Sequence, residues 1–173
     1  LIQNGYEVDV YEKNDRVGGL MIYGIPNFKL DKSIVERRTE WLSESGVNFH
    51  VNTEIGKDLS FQNLEKNYDA ILVATCVYKA RSLDIDTSNI NNSLPALDFL
   101  IESNKVGLGD TPSSNKYLNA KDKHIVVIGG GDTAMDCVRT AIRQKAKQVT
   151  CLYRRNKENM PGSAREVLNA EQE

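Results

Sequence analysis

The sequence predicts an α/β protein built from two β-α-β units, and three observations carry that prediction. Short runs alternating apolar and polar residues are followed by helical stretches. Two further apolar runs, Ala70-Ile71-Leu72-Val73-Ala74 and Ile125-Val126-Val127-Ile128, are continuous, as in parallel strands covered on both faces. A triple-glycine turn stands directly between the second of these runs and a helix.

Taken in order, the first unit opens late in an element. Gly5 closes a helical end, and residues 6–12 follow as a strand in which Val8 and Val10 alternate with polar neighbours. After a glycine-rich stretch at 16–24, Ser33 is the expected cap of a helix that carries Ile34, Arg38, Trp41 and Leu42 on one side and ends at Gly46. Val47, Phe49 and Val51 alternate as a second strand, residues 60–66 read as a short helix, and residues 70–74 as a buried strand. Residues 81–92 are polar and without period, and 94–101 read as helical. Gly, Pro, Ser and Asn collect between 104 and 122, which predicts a linker between a first domain at 1–103 and a second at 123–173. In the second, 125–128 is expected to be a buried strand, 132–143 a helix and 149–153 another strand.

Composition narrows the partners. With 22 basic and 24 acidic residues in 173, the net charge of −2 supplies no strong field, so neither nucleic acid nor a membrane surface is an expected partner. Cys76, Cys137 and Cys151 lie far apart with no C-x-x-C pair, which fits no disulfide framework and no metal ligand set, and points to a reducing cytoplasm. No apolar run is long enough to span a bilayer. His50 and His124 have no carboxylate or cysteine at ligand spacing and read as surface histidines, Cys137 and Trp41 as packing residues. No nucleophile–base pair is visible, so the catalytic side chain is unknown.

The chemistry concentrates in Gly129-Gly130-Gly131-Asp132-Thr133-Ala134, a G-x-G-x-x-A turn between strand and helix. The first glycine permits the tight turn, Gly131 lets the backbone approach a pyrophosphate, and Ala134 lets the helix pack close on the strand. The helix N-terminus then offers unpaired N–H groups and a partial positive charge to an anion. An acidic residue roughly 20 positions on would bind the 2′-hydroxyl of an NAD ribose. That place holds Tyr153-Arg154-Arg155 instead. Two guanidinium groups fit the 2′-phosphate of NADP, which favours NADPH, while a solvated basic pair at a strand end is the plainer alternative. Arg165 is a weaker candidate for the same phosphate. In the first unit, Glu12 ends its strand as a ribose-binding acid would, or as an ordinary exposed acid, and Gly18-Gly19-Leu20 allows close backbone approach to a ligand.

The runs Gly18 to Lys32, Gly129 to Cys137, Tyr153-Arg154-Arg155 and Met160 to Ser163 together resemble the small (beta) subunit family of bacterial NADPH-dependent glutamate synthase, nearly end to end. Oxidoreductases built on that subunit are similarly close, and the flavin-containing part of dihydropyrimidine dehydrogenase more distantly so. The resemblance implies two Rossmann-like three-layer units of the FAD/NAD(P)-binding, pyridine nucleotide-disulfide reductase type, both incomplete in this chain. It implies an FAD domain with an NADPH domain inserted, hydride passage from NADPH to FAD, and electrons leaving through iron–sulfur clusters to a large subunit that makes glutamate from glutamine and 2-oxoglutarate. By position Glu12, Gly18, Gly19 and Leu20 would serve FAD, and Gly129, Gly130, Gly131, Asp132, Thr133, Ala134, Arg154 and Arg155 would serve NADPH. The cluster cysteines and the first FAD glycine turn lie outside the chain, which is expected to be an inactive segment on its own. Cys76 stands where the family tends to place glycine, where a side chain would crowd FAD. The rival expectations are a same-fold reductase with another electron acceptor and a non-catalytic nucleotide-binding or docking module.

Overall fold

A computed structural model describes residues 1–75, 89–90 and 92–173. The chain divides into two compact units, one of Leu1–Ile22 and Leu30–Val77, the other of Tyr23–Lys29 and Tyr78–Glu173.

In the first unit a 3-10 turn, Ile2–Asn4, ends at Gly5 in the left-handed conformation, φ +82°. Strand β1, Val8–Tyr11, pairs in parallel with β2, Val47–His50, in a register that sets Val8 beside Val47 and Tyr11 beside His50. Helix α1, Leu20–Tyr23, begins after the paired glycines, and α2, Lys32–Glu44, supplies the crossover from β1 to β2. Helix α3, Phe61–Asn67, starts where Ser60 accepts from the Asn63 N–H, as its short helical pattern predicts.

Three features of this unit differ from those its sequence pattern suggests. The cap of α2 is Asp31, whose carboxylate accepts from the Ser33 N–H and hydroxyl; the helix starts a residue before Ser33, and the carboxylate suits its positive end. Trp41 is 47% exposed and Ile34 50%, because the inward stripe is Lys32, Val35, Thr39 and Leu42, about one residue out of phase with the stripe read from the sequence. The Arg38 guanidinium covers the Trp41 ring at 4.6 Å instead. Lys32 buries its stem and donates from Nζ to the Met21 carbonyl at 2.8 Å. Residues 70–74 form no strand, and Leu72 is 83% exposed. β1 and β2 pair with each other, and no described strand offers 70–74 the backbone partners that an apolar run needs to become a buried strand.

In the second unit α4, Ala96–Gly107, follows Pro95 and continues through residues expected to begin the linker; Asn104, at its buried face, donates to the Tyr23 carbonyl at 2.7 Å, which extends the helix beyond its apolar pattern. The irregular stretch begins only at Leu108. Strand β3, His124–Ile128, pairs in parallel with β4, Gln148–Leu152, and α5, Asp132–Arg143, crosses between them. Helix α6, Ala164–Gln172, is capped by Ser163. β3 is half-covered rather than buried on both faces: Ile125 and Val127 face inward, while Val126 is 57% and Ile128 59% exposed. One layer of helix covers this two-stranded sheet, so the strand takes up the inside–outside alternation of a one-sided sheet. The core is α5 itself, with Ala134, Met135, Cys137, Val138 and Ala141 buried.

Candidate nucleotide site

Between β3 and α5 the chain must reverse within three residues. Gly129 has φ +145°, a value side-chain-bearing residues rarely adopt, and its N–H closes the sheet by donating to the Leu152 carbonyl at 2.9 Å. Gly130 lies under the Tyr153 ring, where an added Cβ would stand 2.7 Å from Cδ2. Gly131 is different. Its φ of −91° and ψ of 175° suit any residue, and a Cβ there would meet only Pro161 Cγ, at 4.0 Å. Ala134 is 7% exposed, and its methyl sits in ordinary contact range, 3.4 Å, of the Cβ position on Gly129.

The turn's hydrogen-bonding groups are partly spare. Ala134 and Met135 donate back to the Gly131 carbonyl, whereas the N–H groups of Gly130, Gly131, Asp132 and Thr133 have no acceptor among the described residues. Four donors at the positive end of a 12-residue helix can take an anion without a lysine.

The far side of this turn is walled by the segment after β4. Tyr153 leaves the strand, packs on Gly130 and donates from its hydroxyl to the Asn159 carbonyl at 2.8 Å. Gly162 N–H donates to the Gly130 carbonyl at 2.9 Å, and Ser163 N–H to Asp132 Oδ1 at 2.8 Å. Arg154, Arg155 and Arg165 are exposed, and neither Arg154 nor Arg155 has an acidic partner among the described residues. The segment from Met160 to Ser163 was not read as part of the site, although Ser163-Ala164-Arg165-Glu166 is a capping-box pattern that marks a second helix start; Ser163 Oγ does accept from the Glu166 N–H.

Behind the turn, charge holds α5 to its neighbours within this unit. Lys29 Nζ lies 2.8 Å from Asp136 Oδ1 and 3.3 Å from Glu166 Oε2, and Arg139 bridges Glu166 and Glu173. Burial raises the Asp136 carboxyl above its ordinary range against the opposing pull of Lys29. Cys137 is the packing residue expected of it, its thiol pushed up to about 12 by burial.

In the first unit Glu12 stands just past β1. Its Oε1 accepts from the Asn14 N–H at 2.9 Å and Nδ2 at 2.7 Å, and no described residue takes Oε2. Gly18 has φ +125°, and a Cβ on it would be 2.8 Å from Val35 Cγ1, so packing against α2 already requires a glycine there. Gly19 has φ +52°, and Leu20 opens α1. His50, read as isolated, has a carboxylate partner after all: Nε2 is 2.6 Å from Asp9 Oδ1, because the parallel register brings residues 41 apart onto adjoining strands. Its ring stacks on Tyr11, whose hydroxyl is 2.7 Å from that of Tyr68. His124 is a surface strand residue beside Gln148. Cys76 lies outside the described residues. Among those residues no group of three or more His, Cys, Asp or Glu could hold a metal ion, and no helix is long and apolar enough to cross a membrane.

Two parallel β-α-β units, one carrying a glycine turn with spare N–H groups, have the architecture of the dinucleotide-binding fold class, and the chain belongs to the pyridine nucleotide-disulphide oxidoreductase family, whose sequence profile matches residues 3–173. Among proteins, it is 58% identical to the glutamate synthase [NADPH] small chain of Azospirillum brasilense, over 98% of this chain and 36% of that one. The small chain of Escherichia coli K12 is 43% identical, over 100% of this chain and 37% of the relative. The putative oxidoreductase AegA of E. coli K12 is 45% identical, over 100% of this chain and 26% of its own length. The chain therefore spans a little over a third of the small chains it matches. Among solved structures, FprA of Mycobacterium tuberculosis in complex with NADPH superposes with a TM-score of 0.72 at 21% identity, over 95% of this chain and 40% of that one, which shows the same fold.

Proposed function

We propose that this chain is part of an NADPH-dependent flavin oxidoreductase of the glutamate synthase small-chain type, with the β1-α2-β2 unit belonging to its FAD domain and residues 123–173 to its NADPH domain. The observation that carries the reading is Gly131: no described residue requires a glycine there, and its own N–H and those of Gly130, Asp132 and Thr133 have no acceptor among the described residues. A residue kept bare toward open space, at a helix start, suits the close approach of a pyrophosphate.

Gly130, Gly131, Asp132 and Thr133 would donate backbone N–H groups to that pyrophosphate, with Gly129 setting the turn and Ala134 the helix approach. Arg154 and Arg155, exposed and without an acidic partner among the described residues, would take the 2′-phosphate through charge-assisted hydrogen bonds, which a diphosphonucleotide lacking it could not use. Glu12 Oε2, which no described residue takes, would accept from a flavin ribose hydroxyl, while Gly18, Gly19 and Leu20 would pass along the same cofactor as backbone. Bound NADPH and FAD supply the hydride chemistry, and the protein's part is to bind and orient them. Electrons would pass onward through iron–sulfur clusters to a large subunit that makes glutamate from glutamine and 2-oxoglutarate, in the cytoplasm. The likeness to a putative oxidoreductase supports a second reading, in which the same reductase serves another acceptor.

The test is anaerobic mixing of the intact flavin-loaded protein with NADPH or NADH. Rapid bleaching of the flavin by NADPH, and slow bleaching by NADH, is the expected result. Equal rates would remove the NADPH assignment, and a protein that binds NADPH but holds no flavin would replace the reductase with a binding module. Reoxidation by the large subunit, tested in a second mixing, separates the glutamate-forming role from the other acceptor.

A further inference from the structure

The segment that carries the two arginines is fastened to the glycine turn at both of its ends. At its start the Tyr153 ring rests on Gly130. At its end Gly162 N–H reaches the Gly130 carbonyl at 2.9 Å, and Ser163 N–H reaches the Asp132 carboxylate at 2.8 Å. The fit at Gly162 is tight: a Cβ there would stand 3.0 Å from the Gly130 carbonyl oxygen and 3.4 Å from Asp132 N. Between the two fastenings the segment closes one turn of its own at Lys157–Asn159, tied through the Tyr153 hydroxyl to Asn159.

Asp132 is an odd choice for a residue whose only task is to offer an N–H to a phosphate. A carboxylate at a helix start is favourable by itself, but it repels a second anion arriving at the same place. Its observed use is different, since Oδ1 accepts the N–H of the residue that caps α6. We infer that the Asp132 side chain is a positioning group for cofactor choice: by holding Ser163, with Gly162 seated on Gly130, it fixes the 154–163 segment so that Arg154 and Arg155 stand at a set distance from the pyrophosphate turn. This inference rests on the NADPH reading of the site. Two long, exposed side chains on an untethered loop would sample many positions, and ordering them would be charged against each phosphate contact. With the loop anchored, that ordering is already done. The fastening bears chiefly on a ligand that reaches the arginines, so NADPH should sense its loss more than NADH.

The experiment measures dissociation constants of NADPH and NADH for the intact flavoprotein as Asp132→Ala, Asp132→Asn, Gly162→Ala and the double change Arg154→Ala/Arg155→Ala. Loss of one hydrogen bond to a charged acceptor corresponds to about a tenfold weakening. Asp132→Ala is expected to weaken NADPH by about tenfold more than it weakens NADH. Asp132→Asn keeps an oxygen acceptor and is expected to recover most of the NADPH preference. Gly162→Ala lifts the segment from the other side and should reproduce the loss with Asp132 intact, which decides the matter even if Asp132→Ala fails to fold. Unchanged NADPH binding in both Asp132→Ala and Gly162→Ala would overturn the inference while leaving the arginine site standing. A parallel fall in NADH affinity would also overturn it, by assigning Asp132 to the pyrophosphate itself. If instead the double arginine change leaves NADPH binding unaltered, the underlying site reading fails.

Discussion

Gly18 in the first unit and Gly131 in the second both precede a helix in a glycine-rich stretch, yet they are glycines for opposite reasons. Gly18 has φ +125° and its missing side chain is filled by Val35 and Ile22 of its own unit. Gly131 has an ordinary backbone conformation and faces nothing closer than Pro161. The first is fixed by the packing of its own unit, and for the second we propose a ligand outside the protein. Glycine content alone therefore does not mark a nucleotide site; the space beside the missing Cβ does.

That contrast has measurable consequences, and the largest is on stability. Gly18→Ala combines a strained φ with a 2.8 Å clash and is expected to destabilise the intact protein by about 3 kcal/mol, read from denaturant or thermal unfolding. Gly131→Ala should change stability by no more than about 0.5 kcal/mol. It should nonetheless weaken NADPH and NADH alike by at least about tenfold, because its methyl would stand where the proposed pyrophosphate site meets the backbone. Should Gly131→Ala unfold the protein, or leave binding intact, the distinction between the two glycines would collapse.

A smaller effect tests the first unit's acid. Glu12→Gln retains the shape but not the charge, and FAD affinity is expected to fall by about tenfold, seen as flavin lost on dialysis and measured by titration of the apoprotein. Retained FAD would return Glu12 to its role as acceptor for Asn14.

Smallest of all is an acid-side stability term from Asp9. The hydrogen bond from His50, and secondarily that from Tyr68, hold its carboxyl below the usual 3.8. A group lowered on folding stabilises the protein fully above its unfolded value, and that contribution disappears as pH falls through the folded one. The pair is partly exposed, so Asp9→Asn should reduce stability at neutral pH by about 0.5 kcal/mol, with the difference from wild type vanishing as the pH falls through the lowered folded value. A difference that persists unchanged in acid would show that packing of Tyr11 on His50, not charge, is responsible.

Much of the second unit was legible because its signals are local. The turn, α5 and β4 follow from a strand, three glycines and a helical period lying next to one another in sequence. The first unit was read less well because its answers depend on distant partners. Residues 70–74 have the composition of a buried strand but no described neighbour to pair with, and the face of α2 that turns inward depends on where β1 and β2 lie. His50 acquires its partner only through strand register, which no spacing of 41 residues reveals. Within the site the same division holds: Gly129 to Ala134 and the arginine pair are visible as motifs, whereas the fastening of Ser163 to Asp132 arises from two helix starts brought together by the fold.

On the proposed reading, an anion-receptive glycine turn supplies dinucleotide binding while Arg154 and Arg155 supply the preference for the 2′-phosphate. Titrating the intact protein with NADPH and NADH, before and after Arg154→Ala/Arg155→Ala, tests it most directly. With two charge-assisted contacts removed, NADPH is expected to weaken by about a hundredfold and NADH by less than about twofold, so that the preference disappears. An undiminished preference for NADPH in the double variant, or an equal loss for both nucleotides, would contradict the account.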